Sequence, residues 1–234
     1  MSAELAVVGL GRMPYGEALA LQRSLAQRRI ERSLPHDLLL LVEHPPVVTL
    51  GRGAHPEHTA PRAFLEARGV EVHTVERGGD VTFHGPGQLV GYPIFDLTEH
   101  RQDLHWFLRA IEEALITALA HCGIAGERRP GYTGVWTGGQ ARKIASIGVH
   151  VKQWVTWHGF ALNVVTDLSS FDLIVPCGIP DVVMTSMQRE LRENSPRDLW
   201  GKALDAVVLG FAHVFAQRPQ METLEALTPR PSAP

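Results

Sequence analysis

A cysteine flanked by prolines could act as a nucleophile. Cys177 lies in the segment LIVPCGIPDVVMTSM, directly after Pro176 and before Gly178, with a further proline at position 180. The prolines disfavour a regular strand or helix around the cysteine, and the glycine leaves its thiol accessible. A thiolate in such a loop can attack a carbonyl carbon and hold an acyl group as a thioester. A buried, unreactive cysteine at a strand end fits these residues equally well.

A lysine on an apolar strand could supply the charge that such a thiolate needs. Lysines are scarce here, because only three of the 22 basic residues are lysines and the rest are arginines. Regular alternation along ARKIASIGVHV would place Lys143 on the inward, apolar face, with Ala145, Ile147, Val149 and Val151. A lysine buried there costs desolvation energy unless it has a partner or a function. A bulge that turns it outward, or a side chain that reaches solvent, would explain it without chemistry.

Small residues near this lysine could form a slot for a slim apolar ligand. The other face of its strand carries Ser146 and Gly148, and the following strand carries Gly159 and Ala161. Tight packing between strands explains the same residues, and the composition alone favours that interpretation. A second glycine-containing stretch, RGGDVTFHGPGQLVGYPIFDL, combines an arginine, a histidine and a Gly-Pro-Gly turn, which is poor material for a core.

Composition excludes several classes of protein. The 234 residues are 44% hydrophobic and 20% charged, enough for a real core in one large or two small domains. A net charge of −3 gives no basis for nucleic-acid binding, and we find neither a secretory signal nor a membrane-spanning apolar run. With only Cys122 and Cys177, we expect reduced thiols and a cytoplasmic location. Since no HExxH, zinc-type cysteine spacing or P-loop occurs, we expect no metal and no cofactor.

Alternating helices and strands must position these residues. Strands are predicted in ELAVVGL, DLLLLVE, VVTL, VEVHTVERGGDVTFHG, LVGYPIFDL, the hairpin GVWTGGQARKIASIGVHV, and WVTWHGFALNVV. Helices are predicted in YGEALALQRSLAQRRIERS, PRAFLEARG, DLHWFLRAIEEALITALAHCG and SPRDLWGKALDAVVLGFAHVFAQ. Ser195 is the expected N-cap of the last helix, and Cys122 is expected to pack where the long central helix ends. The pattern predicts one α+β domain over 1–218, with mixed or antiparallel sheets flanked by helices, and a Pro-rich flexible tail over 219–234.

Separated segments together resemble the lipoate-protein ligase B family, the octanoyl-[acyl-carrier-protein]:protein octanoyltransferases. They are LLVEHPPVVTLGRGA, RGGDVTFHGPGQLVGYPI, ARKIASIGVHV, and HGFALNV followed by PCGI, in the order of the family. The resemblance implies the catalytic-domain fold of lipoate and biotin protein ligases and a catalytic dyad of Cys177 and Lys143. It also implies an acyl-binding wall formed by Arg77, Gly78, Gly79, Asp80, Val81, Thr82, Phe83, His84, Ser146, Ile147, Gly148, Gly159, Phe160 and Ala161. Asp80 stands at a variable position of the family motif.

The resemblance also implies an activity and its partners. The donor would be octanoyl-acyl carrier protein, and the acceptors would be lipoyl domains of 2-oxoacid dehydrogenase E2 subunits and the glycine cleavage H protein. The octanoyl group would pass through a thioester on Cys177, with Lys143 stabilising the thiolate and moving protons, and no ATP would be consumed. His84 would orient the carbonyl or assist the incoming amine. Valine at Gly148 or Gly159 would then fill the acyl slot with a modest loss of stability.

Two other functions remain open on the sequence. An ATP-dependent lipoate or biotin protein ligase of the same fold needs an adenylate site, and no Arg-rich GRGRxGR-type loop occurs. A non-catalytic module that binds acyl carrier protein or a lipoyl domain needs no reactive cysteine, so a buried Cys177 far from Lys143 would favour it.

Overall fold

A large mixed sheet forms the centre of the fold. The computed structural model describes residues 3–179 and 182–227, and the strands of this part are β1 (Glu4–Arg12), β2 (Asp37–Glu43), β3 (Val47–Leu50), β4 (Glu71–Thr74), β5 (Val81–His84), β6 (Gln88–Ile94), β7 (Val135–Thr137), β8 (Arg142–Lys152), β9 (Val155–Asn163), β10 (Val183–Met184) and β11 (Arg218–Glu222). The large sheet has the order β10-β8-β9-β6-β2-β1-β11, with β7 added beside β8. The small sheet has the order β4-β3-β5. This arrangement confirms the predicted α+β class with mixed sheets.

Helices cover both faces of the large sheet. They are α1 (Tyr15–Ile30), α2 (Arg62–Glu66), α3 (Leu104–His121), α4 (Met187–Leu191), α5 (Leu199–Val214) and α6 (Leu224–Leu227). The apolar face of α3 packs with α5 in the largest core cluster, while α1 packs against the opposite face of the sheet through residues such as Ala18 and Leu25. In the described part of the chain, none of the helices combines the length and hydrophobicity needed to cross a membrane.

Two predicted boundaries are wrong at the C-terminal end. The last long helix begins at Leu199 rather than at Pro196, because Asp198 and not Ser195 caps it by accepting a hydrogen bond from Gly201 N at 2.8 Å. The predicted flexible tail is partly folded, since β11 pairs in parallel with β1 at the sheet edge, where Pro219 is tolerated. Residues 228–234 of that tail lie outside the described part.

A cavity of about 310 Å³ lies between the two sheets. Its lining comes from the N-terminus of α1, from β5 of the small sheet, and from β6, β8 and β9 of the large sheet. The short 3-10 turn Pro176–Gly178 closes one side, and residues 131–133 before β7 border another. The fold therefore brings the stretches that sequence analysis singled out around one cavity.

Candidate active site

The cysteine and the lysine singled out by their sequence context are direct neighbours. Lys143 Nζ donates a hydrogen bond to Cys177 Sγ over 3.1 Å, and Ser146 Oγ lies 3.8 Å from the same sulfur. Both side chains border the cavity, and Lys143 is 0% exposed. The large separation that would favour a non-catalytic module is therefore absent. An ammonium held this close to a thiol can act both as its counter-ion and as its proton donor.

A bulge in β8 decides which face Lys143 occupies. Val135 of β7 pairs with Ala145, but the next residue, Trp136, pairs with Lys143, so Ile144 is an extra residue in β8. Ile144 and Ala145 both pack in the core under α3 and α5. The predicted alternation is thus wrong at this point, because one inserted residue moves Lys143 to the opposite face of the sheet. Instead of turning the lysine out to solvent, the bulge turns it into the cavity.

Cys177 occupies an unusual backbone conformation. Its φ of 57° and ψ of 22° are left-handed, which costs a residue other than glycine about 1–2 kcal/mol. The turn is closed by Gly178 N donating to Val175 O at 3.0 Å and is tied to the neighbouring loop by Val175 N donating to His58 O at 2.7 Å. A side chain at Gly178, whose φ is +63°, would overlap the Asp80 carboxylate. The thiol position therefore depends on close packing of this turn against Asp80 and His58.

Opposing influences set the pKa of the Cys177 thiol. Burial raises it, but the charge and the hydrogen bond of Lys143, the hydrogen bond with Ser146 and the charge of Arg77 together lower it below its ordinary value. The net direction favours a thiolate paired with the lysine ammonium.

Arg77 is a buried cation at the cavity wall. Its guanidinium donates to Thr49 O at 2.7 Å, to Thr49 Oγ1 at 2.9 Å and to Gly78 O at 3.2 Å. These described partners are neutral, and burial lowers the pKa of Arg77. Because these hydrogen-bond partners carry no charge, they do not neutralise the positive charge of Arg77. That charge therefore favours binding of an anion in the cavity.

Strand alternation divides the stretch from residue 77 to 84. Thr82 and His84 line the cavity, whereas Val81 and Phe83 face the core of the small sheet, where Phe83 contacts Phe171. Of the residues implied by the family resemblance, those at the cavity are Arg77, Gly79, Asp80, Thr82, His84, Ser146, Ile147, Gly148, Gly159, Phe160 and Ala161. Gly78 does not line it, and its N–H donates to Val149 O at 2.9 Å instead.

His84 is a neutral side chain in the cavity wall. Gln88 uses its amide hydrogens on Phe83 O and Asn163 Oδ1, so its oxygen accepts a hydrogen bond from His84 Nδ1 at 2.8 Å. Burial, with a further contribution from His44, lowers the pKa of His84 to about 3. Such a weak base does not fit the expected role of assisting the amine by taking its proton.

The two glycines of the expected acyl slot serve close packing. A Cβ at Gly159 would overlap Gly91 O of the neighbouring strand, and a Cβ at Gly148 would lie 2.8 Å from Gly78 O. Valine at either position would push the backbones apart, so the prediction of a modest loss of stability is wrong. Close packing between strands therefore explains why positions 148 and 159 carry no side chain, although both glycines border the cavity.

Several cavity residues escaped sequence analysis. They are Tyr15, Val90, Tyr92, Gly131, Tyr132, Thr133, His158 and Ile179. Alternation in LVGYPI could have indicated Val90 and Tyr92, which lie on one face of β6. Tyr15 carried no signal, because it comes from the start of α1 and reaches His84 by stacking, with ring centroids 5.9 Å apart.

The surroundings of the other thiol differ from those of Cys177. Cys122 is partly buried against the core of α3 and α5, and burial raises the pKa of its thiol, in line with the packing interpretation. Within residues 3–179 and 182–227, no three His, Cys, Asp or Glu side chains lie together as a metal site requires.

Known proteins resemble this chain in sequence and in fold. Residues 14–207 match the family described as lipoyl protein ligase A/B catalytic domain. The octanoyltransferase of Gloeobacter violaceus is 48% identical over 216 residues, which are 92% of either chain. That of Chloroflexus aggregans is 48% identical over 217 residues, covering 92% of this chain and 96% of the relative. A crystal structure of lipoate-protein ligase A bound with ATP has a TM-score of 0.73 at 16% identity, covering 96% of this chain and 90% of that one, which is a likeness of fold.

Proposed function

This chain belongs to the lipoyl protein ligase A/B catalytic-domain family, and from that premise we propose that it carries an octanoyl group on Cys177 from an acyl carrier protein to a lipoyl domain. The protein is an acyltransferase that transfers octanoyl groups in lipoylation, as its relatives over nearly the whole chain do. The observation that carries the proposed mechanism is the 3.1 Å hydrogen bond between Lys143 Nζ and Cys177 Sγ.

The first half-reaction forms the acyl-enzyme. The Cys177 thiolate attacks the carbonyl carbon of the octanoyl thioester, and the bond between that carbon and the carrier sulfur breaks. Lys143 gives its proton to the departing carrier thiolate, so the carrier leaves as a free thiol and the lysine becomes a neutral amine. One thioester replaces another, and the step needs no nucleotide.

The second half-reaction restores the enzyme. A neutral lysine amine of the acceptor attacks the thioester carbonyl, and the bond to Cys177 Sγ breaks as the amide forms. Lys143, now neutral and 0% exposed, takes the proton that the amine loses. The sulfur leaves as a thiolate beside the regenerated ammonium, which is the starting pair.

The cavity suits a slim acyl chain. Its volume of about 310 Å³ is at the small end of the range for ligand pockets, about 300–1,000 Å³. Thr82, Ser146 and Ala161 provide small side chains along its wall. We assign the octanoyl chain to this space, with Arg77 and Lys143 at the end where charge develops.

The acceptors are lipoyl domains, and we propose those of 2-oxoacid dehydrogenase E2 subunits and the glycine cleavage H protein. We also propose a cytoplasmic location, because both cysteines are free and a nucleophilic thiol requires reducing conditions. The ATP-dependent ligase alternative shares this fold. It requires no thiol beside the lysine, so the contact between Lys143 and Cys177 favours the transferase mechanism.

Intact-mass spectrometry tests the mechanism. Mixing the enzyme with octanoyl-acyl carrier protein, without ATP, is expected to add one octanoyl group, which maps to Cys177 and never to Cys122. Adding a lipoyl domain is expected to remove that mass and to modify one lysine of the domain. A Cys122→Ser variant is the matched control and retains labelling. If transfer requires free octanoate and ATP and releases AMP, the ligase alternative is correct instead.

A further inference from the structure

A carboxylate that the proposed mechanism does not use is buried behind the site. Glu112, in the middle of α3, is 0% exposed and lies outside the cavity. It accepts hydrogen bonds from Arg109 Nη1 at 2.8 and 2.7 Å, from Arg128 Nε at 3.1 Å and from Gly134 N at 3.0 Å. Burying a carboxylate costs several kcal/mol of desolvation free energy, which its ion pairs have to offset. The same ion pair at the surface would avoid that cost, so stability alone gives little reason for burying Glu112.

The hydrogen bond to Gly134 connects this carboxylate to the lysine. Gly134 has a φ of +137°, and a Cβ built there would lie 2.9 Å from Lys143 Cε and 2.7 Å from Ala145 O. The Gly134 backbone therefore packs directly on the aliphatic part of the lysine side chain. Glu112 fixes this backbone by accepting from its N–H group.

The residue two positions later completes the wall behind the lysine. The indole ring of Trp136 has its centroid 5.0 Å from Lys143 Nζ, a distance at which an aromatic face stabilises an ammonium ion. Trp136 also pairs with Lys143 in the β7–β8 ladder and is tied to Glu127 by two backbone hydrogen bonds of 2.8 Å. Gly134 and Trp136 thus contact the stem and the head of the same side chain.

We propose that Glu112 is a positioning residue for Lys143. By holding Gly134 N, it keeps the segment 134–136 against the lysine and so sets the distance between Nζ and the Cys177 sulfur. A displacement of about 1 Å at a catalytic group can cost about a hundredfold in rate, which is why a group outside the site matters. This inference rests on the proposed role of the Lys143–Cys177 pair.

The neighbouring residue provides a matched control. Glu113 lies on the same helix and accepts from the same arginine, Arg128 Nη2, at 2.6 Å. Its side chain is 48% exposed, and within the described residues Gly134 N bonds Glu112 and not Glu113. Glu113→Gln therefore removes one charge from the same cluster without touching the segment behind Lys143.

The experiment compares Glu112→Gln with Glu113→Gln in a Cys122→Ser background. The glutamine keeps the shape of Glu112 but presents one acceptor oxygen and an amide that faces two arginines. We expect iodoacetamide alkylation of Cys177 to slow about tenfold at pH 6, with its pH midpoint moved upward, and kcat to fall while KM for the octanoyl carrier stays within about twofold. Glu113→Gln is expected to leave the alkylation rate, its pH midpoint, kcat and KM unchanged.

An unchanged alkylation profile and kcat in folded Glu112→Gln would overturn the proposal, whatever its melting temperature. Gly134→Ala is a second route to the same displacement, because its methyl group meets Lys143 Cε while Glu112 stays intact. Gly134→Ala is also expected to raise the pH midpoint of Cys177 alkylation. If Glu112→Gln does not fold, an unchanged midpoint in Gly134→Ala overturns the proposal. If Cys177→Ser retains turnover, the proposed Lys143–Cys177 dyad is wrong. If Cys177→Ser loses turnover but the Glu112 and Gly134 variants keep the alkylation midpoint and kcat of the unmodified chain, only the positioning role of Glu112 is wrong.

Discussion

Lys143 lies in a strand with paired neighbours on both sides, whereas Cys177 lies in a three-residue turn. The lysine backbone pairs with Trp136 of β7 on one side and Met184 of β10 on the other, and Thr185 N donates to its carbonyl at 2.9 Å. The cysteine has a left-handed backbone and is held from outside by the contacts of its turn with His58 and Asp80.

The difference matches the two roles proposed for these residues. A proton carrier must keep its distance from the sulfur, and a strand paired on both sides resists displacement. A nucleophile must accept an acyl chain from one protein and release it to another, and a turn at the cavity edge leaves its sulfur accessible. The sheet therefore fixes the geometry of the pair, and the turn provides the access.

Removing the nucleophile is expected to have the largest effect. Cys177→Ser puts a hydroxyl beside Lys143, and because a hydroxyl stays protonated at neutral pH, turnover should fall by on the order of a thousandfold or more. No octanoyl group should be recovered on the protein. Steady-state transfer to a lipoyl domain measures the loss, and a drop of less than about tenfold would show that the turn does not carry the nucleophile.

Replacing the lysine separates its charge from its proton. The pKa of the Cys177 thiol is lowered, so the thiolate is present above that lowered value and disappears as the pH falls through it. In Lys143→Met the main lowering contribution is lost, so alkylation of Cys177 at pH 6 should slow by about tenfold or more. In Lys143→Arg the charge stays and alkylation should largely persist, yet transfer should fail because a guanidinium does not release a proton.

Alkylation rates measured from pH 5 to 9 distinguish these variants. If Cys177 in Lys143→Met is alkylated at pH 6 as fast as in the unmodified chain, Lys143 does not lower the pKa of the thiol. Its charge then has no role in forming the thiolate.

Perturbing the turn that holds Cys177 is expected to have the smallest effect of these substitutions, a measurable loss of stability. Gly178→Ala adds a methyl group that overlaps the Asp80 carboxylate at a φ of +63°, and we expect a loss of about 2–3 kcal/mol in unfolding free energy. Gly139→Ala is the control, since its φ of +68° gives a similar strain but nothing lies within 4 Å of the added carbon. It should cost about 1 kcal/mol.

Denaturant unfolding of both glycine variants gives the comparison directly. Equal losses would mean that contact with Asp80 does not support the turn. A larger loss at Gly178 with the same alkylation midpoint for Cys177 would mean that the turn sets stability while the strand sets ionisation.

Local patterns predicted most of the elements that frame this site. The strands that carry Thr82, His84, Lys143 and Gly159 and the long helix α3 were all expected from their sequence segments. The pairing of Cys177 with Lys143 came from family resemblance, because their contact joins residues 34 positions apart.

The remaining features depend on contacts that no local pattern encodes. The bulge at Ile144 arises from how β7 and β8 pair, so alternation assigned Lys143 to the wrong face. Glu112 looks like a surface residue in an Arg109–Glu112 pair on a helix, and its burial depends on Arg128 and on Gly134. Strand β11 was not predicted because its Pro219 disfavours a strand. The structure places this strand at the sheet edge, where a proline is tolerated.

The half-buried thiol at the end of α3 gives this protein an internal standard. Burial raises the pKa of Cys122, while the pKa of Cys177 is lowered, so the two cysteines respond oppositely to their surroundings within one molecule. In a digest of one sample labelled to low conversion, the ratio of the two modified peptides equals the ratio of the two alkylation rates and does not depend on the amount of protein or reagent. Thiol activation can therefore be quantified in crude extracts, where neither enzyme amount nor reagent dose is known.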